Sequence, residues 1–270
     1  MPADQSRAVR EHFERVSARW GKGYEPRPCY MSHLDLQERR LHIQRLLGSL
    51  LAADTTRLRV LDLGCGTGDV LQGVSRDRVC VVGVDLAPEM VAVAAQVHPE
   101  DRFAACDAAR TPFRPGTFDV VVSAGVLEYV PDAFAVLRGA HGLLRPGGHL
   151  ILSMPNRASL LRKLSRFEEA CERPFSQLWR RVRGLPANDG PRPGYAHTHW
   201  TPSAGRRLLR DCGFAVHETL YNTYGMRGWL GSIPASLRLS AWLTRRFAEN
   251  EFVSAWLAHT IVFKARRVPA

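Results

Sequence analysis

The chain predicts an α/β fold built on a doubly wound, mostly parallel sheet, and three features of the sequence predict it. Apolar runs of strand length alternate with stretches of helical periodicity between Val60 and Pro155. The first run, Val60 to Leu63, stops at a glycine-rich turn, Gly64-Cys65-Gly66-Thr67-Gly68. Later runs end on acids or small residues, at Asp85, Asp107 and Ser123-Ala124. Open α/β sheets gather binding groups in this way at the carboxyl ends of their strands.

Each element follows in order. Residues 1–53 read as a helical cap, because Ala8, Phe13, Val16 and Trp20 recur near helical spacing. Gly21, Gly23, Pro26 and Pro28 break that helix. A second helix runs from about Ser32 to Leu51, with Leu34, Leu41, Leu46 and Leu50 as its apolar side. The core, residues 54–156, opens with the glycine turn, which is expected to continue into a helix near Asp69. A second strand, Val79 to Val84, ends in Asp85, and Pro88 suits the first turn of the next helix. Phe103 to Ala108 is a third strand and Phe118 to Ser123 a fourth. Leu150 to Ser153 is a fifth, entered through Leu143-Leu144-Arg145-Pro146-Gly147-Gly148. Residues 157–200 form an insertion expected to act as a lid: a basic helix, a glycine–proline stretch, then Tyr195 to Trp200. Thr201-Pro202 caps the next helix, and Phe214 to Tyr221 is a sixth strand. A helical insertion over 227–250 precedes the last strand, Thr260 to Lys264. All of this reads as one domain.

The turn chemistry points away from phosphate. A dinucleotide-binding turn would place glycine where Asp69 stands, and an acid at such a helix mouth repels phosphate. Asp62 adds negative charge beside it, which suits an ammonium or sulfonium. Asp85 lies 21 residues past Gly64, a spacing that lets a carboxylate accept from both hydroxyls of a ribose.

The acid-x-Gly-x-Gly-x-Gly pattern resembles the first motif of class I S-adenosylmethionine-dependent methyltransferases. The Phe118-Asp119-Val120-Val121-Val122-Ser123 and Leu127-Glu128-Tyr129-Val130 segments are similar to that family's fourth-strand region. The Leu144 to Gly148 turn matches its proline–glycine–glycine motif. The resemblance implies a Rossmann-like sheet of seven strands, the last antiparallel. It implies S-adenosylmethionine as cofactor, held by Asp62, Gly64, Cys65, Gly66, Gly68, Asp85, Leu86, Met90, Asp107, Ala108, Ser123 and Ala124. Asp107 would accept from the adenine amine. Asp119 reads as a structural acid, and Cys65 and Cys106 as packing residues.

Composition bounds the function. With 45% hydrophobic residues over 270, the chain can bury one sizeable core. It has no apolar run of 18 residues, and its first residues lack the apolar stretch of a secretory signal, so a cytoplasmic protein is expected. Six scattered cysteines show no metal-ligand spacing, so no metal is expected and the thiols read as free. The net charge of +11 favours anionic partners in general, including an acceptor with an anionic group. The basic run from Arg157 to Arg183 reads by default as a solvated helical face. Nucleic acid is not expected, because Ser123-Ala124-Gly125-Val126 stands where base-modifying relatives carry a proline-rich clamp for a flipped base.

The acceptor side rests on fewer residues. Methyl transfer to a hydroxyl needs alignment, desolvation and a proton acceptor. Tyr195-Ala196-His197-Thr198-His199-Trp200 is the best cluster for it, and it loosely resembles a segment of ubiquinone-biosynthesis O-methyltransferases. His197 and His199 are the candidate bases, with imidazoles titrating near neutrality. Their spacing of two predicts opposite faces, so that one alone enters the site. Tyr24, Tyr30, Glu128, Tyr195 and Tyr224 are the further acceptor-side candidates. The expected activity is methylation of a small organic acceptor, most simply at oxygen. The alternatives are a relative that keeps the pocket without transferring methyl, such as a pericyclase, or a lipid or nucleic-acid methyltransferase.

Overall fold

The strands form one sheet because their apolar residues alternate between its faces. In β1 (Leu58–Leu63), Leu61 and Leu63 pack into one buried cluster while Leu58 and Val60 pack into the other. The computed structural model describes residues 2–26, 28, 30–53, 56–167, 195–225 and 233–268. Beyond β1 come β2 (Val79–Asp85), β3 (Arg102–Ala105), β4 (Phe118–Ala124), β5 (Leu144–Pro155), β6 (Phe214–Asn222) and β7 (Thr260–Arg267). They lie in the order β3-β2-β1-β4-β5-β7-β6. The strands β1 to β5 pair parallel, and β7 runs antiparallel between β5 and β6. The order reverses between β1 and β4, the switch point at which such sheets open a crevice.

One face is covered by α4 (Ala133–Leu143) and α6 (Pro202–Asp211), whose Leu137, Ala140, Leu208 and Leu209 join Val121, Leu152 and Phe263. The other takes α2 (Met31–Ala53), whose Ile43, Leu46 and Leu47 bury against Val120, Ile151 and Val262. Each such side chain contributes roughly 1.5–3 kcal/mol by leaving water. Ahead of α2, α1 (Pro2–Trp20) passes over the carboxyl edge of the sheet. A single 3-10 turn, Gly21–Tyr24, links the two helices. Between β2 and β3 lies α3 (Pro88–Val97), and residues 160–167 are helical (α5). Two consecutive helices, α7 (Pro234–Phe247) and α8 (Glu251–Leu257), join β6 to β7.

Several sequence expectations need correction. No α-helix follows the glycine turn: Asp69–Leu71 is one 3-10 turn, and Gly73 at φ 83° cannot continue a right-handed helix. Leu41 of α2 is exposed, because the buried stripe instead runs through Asp35, Glu38, Arg39 and His42 toward Ile43. The strand β5 starts at Leu144, so the proline–glycine–glycine segment lies within it and pairs across a register shift with β4. Asp119 does structural work as expected, accepting the Arg59 N–H at 2.6 Å and pairing with Arg145 at 2.8 Å. Cys65, Cys80, Cys106 and Cys212 are free thiols. The glycine–proline stretch of the expected lid and the basic residues beyond Arg166 lie outside the described residues, as do residues 226–232.

Candidate functional site

At the switch point the glycine turn folds back under β2. The N–H groups of Gly64 and Cys65 donate to the Val84 carbonyl at 2.7 and 2.9 Å. Gly64 sits at φ 78°, and a Cβ there would lie 2.2 Å from Val126 Cγ2. Both facts require glycine. The next glycine, Gly66, donates its N–H to Asp85 Oδ2 at 2.9 Å, and Ala87 N–H donates to Asp85 Oδ1 at 2.9 Å. These two bonds aim the carboxylate and leave each oxygen a further lone pair. Burial raises the Asp85 pKa, while the backbone donors act against that rise.

A cleft open to solvent lies above this turn. Gly64, Cys65, Gly66, Asp85, Leu86, Met90, Asp107, Ala108 and Ala124 line it, nine of the residues named from sequence. Asp107 is held by Ala109 N–H at 2.9 Å from its Oδ1. Phe13 and Trp20 of α1, packed edge to face at 5.3 Å, roof the cleft.

Three expected contact residues do not line it. Asp62 is buried beneath the turn with its Oδ1 unpartnered. Burial, with Asp85 nearby, pushes its pKa up to about 7. Gly68 makes room for a neighbour, since a Cβ there would meet the His98 ring at 2.6 Å. Ser123 is buried in β4, its hydroxyl unpartnered.

A second chamber adjoins the first, and the two share Trp20, Arg39, Glu128 and Tyr129. His197 and His199 line this second chamber together. Their segment is tied down by Thr198 N–H to the Glu128 carbonyl at 3.0 Å and Trp200 N–H to the Pro155 carbonyl at 3.2 Å. The rings stack, with centroids 6.3 Å apart and planes 26° apart. The expectation of opposite faces therefore fails, because the segment is anchored at Thr198 and Trp200 and is not a regular strand. Burial pushes His199 down to about 4, helped by Arg162 and neighbouring cations, so its ring is neutral at pH 7.

The tyrosine candidates separate. Tyr24 lines the cleft, and burial raises its pKa to about 12, which keeps the phenol neutral. Tyr195 packs edge-on against Tyr129 at 5.6 Å and His12 at 5.5 Å, outside the lining of either chamber. Tyr30 is 56% exposed and faces neither chamber. Tyr224 is an interior post whose hydroxyl lies 2.6 Å from Ser254 Oγ. Glu128, by contrast, is buried at the window between the chambers, with Oε2 unpartnered and its pKa raised by burial.

Sequence reasoning missed Arg39. This guanidinium is buried, its Nε has no partner, and its Nη1 would lie 2.2 Å from a Cβ on Gly125. Glu128 and Asp35 lie close enough to act on its charge, so this buried cation is balanced in part within the chain while its Nε donor stays unmet. An arginine on a helix that reads as a cap gives no motif signal. Its helical offset from Asp35 and Glu38, all on one buried stripe, was the available one.

Among the described residues, His98, Glu100 and Asp101 alone come together at metal-ligand separations. Arg76 already holds Asp101 there through two bonds of 2.7 and 2.5 Å, so the local cation is a guanidinium.

Residues 61–152 match the family described as a methyltransferase domain. The chain is 40% identical over 105 residues to the ubiquinone biosynthesis O-methyltransferase of Xanthomonas campestris pv. campestris (strain B100), covering 37% of this chain and 44% of that protein. It spans less than half the length of the curated relatives it matches. The magnesium protoporphyrin IX methyltransferase of Synechocystis PCC 6803, solved with bound SAH, superposes with a TM-score of 0.63 at 19% identity, covering 98% of this chain and all of that one. The [4+2]-cyclase SpnF also superposes, with a TM-score of 0.52 at 18% identity over 83% of this chain and 80% of its own. Likeness at these identities is likeness of fold, which different chemistries share. Residues 61–152 thus match a methyltransferase domain, and the chain carries a Rossmann-like fold shared with solved methyltransferases.

Proposed function

We propose that this chain binds S-adenosylmethionine in the glycine-turn cleft and transfers its methyl group to a small organic acceptor in the second chamber, most simply at oxygen. The single observation that carries this reading is the window of Trp20, Arg39, Glu128 and Tyr129 between two chambers. Asp85 would accept from the ribose hydroxyls with its free lone pairs, and Asp107 with Ala108 would border the adenine. Arg39, whose Nε lacks a partner, would receive the carboxylate of the amino-acid end beside Glu128. Asp62 would act through its field from beneath the turn. When bound, the cofactor supplies a sulfonium-activated methyl carbon.

The remaining work belongs to the chain's residues. Trp20 and Tyr129 exclude water from the window, and the pinned 195–200 segment orients the acceptor. The neutral His199 ring, with His197 stacked on it, would accept a hydrogen bond from the acceptor hydroxyl. A base titrating near 4 is weak, so orientation outweighs proton abstraction in its contribution. Ubiquinone precursors are one acceptor class suggested by the partial match to those O-methyltransferases, and an anionic acceptor fits the basic excess.

Calorimetry with S-adenosylhomocysteine tests the cofactor reading. Binding is expected, with none for NAD, and Asp85→Ala should weaken it by about 1.5–3 kcal/mol, the usual loss for charge-assisted hydrogen bonds. Binding of NAD with none of the adenosyl compound would overturn it.

A further inference from the structure

The helical connection between β6 and β7 has two distinct faces. Inward, Leu237 packs with Met31 and Leu34, and Ser240 and Thr244 are buried. Outward, α7 shows Leu239 and Trp242, which are 56% and 53% exposed. Its neighbour α8 shows Phe252 and Trp256, one turn apart and 85% and 56% exposed. Four large apolar side chains on the outer side of two consecutive helices are costly to leave in water, and nothing in the fold needs them there.

The charge around these residues is predominantly positive. Arg238, Arg245 and Arg246 lie on α7, and across a groove from Trp256 stand Arg162, Lys163 and Arg166 of α5. The acids closest in sequence are already engaged: Glu249 pairs with Arg45, and Glu251 pairs with Arg206 at 2.6 Å. α5 itself exposes Leu160, Leu164 and Phe167 at helical spacing among those cations. The same groove is lined by His197 and His199, so the face borders the acceptor chamber.

Tryptophan, phenylalanine and leucine on surface helices, ringed by arginine and lysine, suit the boundary between headgroups and acyl chains. We infer that the α7–α8 face, with the exposed side of α5, docks peripherally on an anionic lipid bilayer. No described helix is long and apolar enough to cross a membrane, so the attachment is interfacial.

The test is co-sedimentation of the full chain with vesicles. Binding is expected to vesicles of equal parts phosphatidylglycerol and phosphatidylcholine, at least about tenfold weaker binding to phosphatidylcholine alone, and loss of binding as salt is raised. Phe252→Ser with Trp256→Ser should cut partitioning about tenfold or more, as should Arg245→Glu with Arg246→Glu. S-adenosylhomocysteine binding and the circular dichroism spectrum are expected to stay unchanged, which shows that the variants fold. Equal binding to both vesicle types, no binding to either, or partitioning that survives both double substitutions would overturn the proposal. So would concentration-dependent dimerisation in light scattering that the Phe252/Trp256 substitutions abolish, which would make the face a contact between copies. None of these outcomes depends on the methyl-transfer reading.

Discussion

Glu38 Oε2 accepts both the N–H of Thr223 at 2.9 Å and its hydroxyl at 3.0 Å, and Thr223 sits at φ 65°. A β-branched residue in the left-handed region is strained, and persists only where its surroundings over-determine it. Glu38 is that constraint, joined by the Thr244 hydroxyl at 2.9 Å. It ties the cap helix α2 to the exit of β6. Glu38→Ala should therefore destabilise the protein by roughly 1–3 kcal/mol, the cost of bare buried donors. Urea unfolding checks this, and an unchanged midpoint would show that the network contributes nothing.

The same carboxyl sets a pH dependence. Burial raises Glu38 to about 7, from an ordinary value of 4.5. Between those values the folded state holds a proton that the unfolded state has lost, so this group's contribution to stability falls as pH rises through that window. Asp62, raised from 3.8 to about 7, acts in the same direction. Asp62→Asn should then raise the melting temperature of the cofactor-free protein at pH 8, with the gain fading toward pH 4. A gain equal at both ends would assign it to packing.

His199 carries the opposite sign. Its folded pKa is lowered to about 4 from 6.5, so its contribution is complete above 6.5 and is lost as pH falls through 4. Its ring signal in nuclear magnetic resonance should stay still between pH 8 and 5.5. A midpoint near 6.5 would show a solvated ring. Any turnover that uses this ring should accordingly be flat from pH 6 to 8, and the rise expected from an ordinary imidazole should be missing.

Two glycines separate conformation from sterics. Gly64 and Gly73 have φ of 78° and 83°, but an added Cβ strikes Val126 at 2.2 Å in the first case and meets nothing within 4 Å in the second. Gly73→Ala should cost about 1–2 kcal/mol, the left-handed penalty alone. Gly64→Ala should cost more and weaken S-adenosylhomocysteine binding. Adding Val126→Ala to it should recover part of that binding. Equal losses for the two single substitutions, or no recovery, would argue that Val126 does not limit the turn.

Much of this protein is local. The Val60–Gly68 turn, the acid at the tip of β2 and the N-cap at Thr201 follow from neighbouring residues, because strand alternation and turn conformation are set within a few positions. The lining of the glycine-turn cleft was readable for the same reason: most of its groups sit at strand ends, in chain order. The second chamber was not. Arg39 and Glu128 meet across 89 positions, and the stacking of His197 on His199 depends on hydrogen bonds to Glu128 and Pro155. Tyr30 and Tyr224 looked alike in sequence, yet one is in solvent and the other bonds to Ser254. Burial and its effect on ionisation arise from the packing of distant elements. Local residues therefore determined the sheet and its glycine turn, and only tertiary structure decided which charges, rings and hydroxyls share the second chamber.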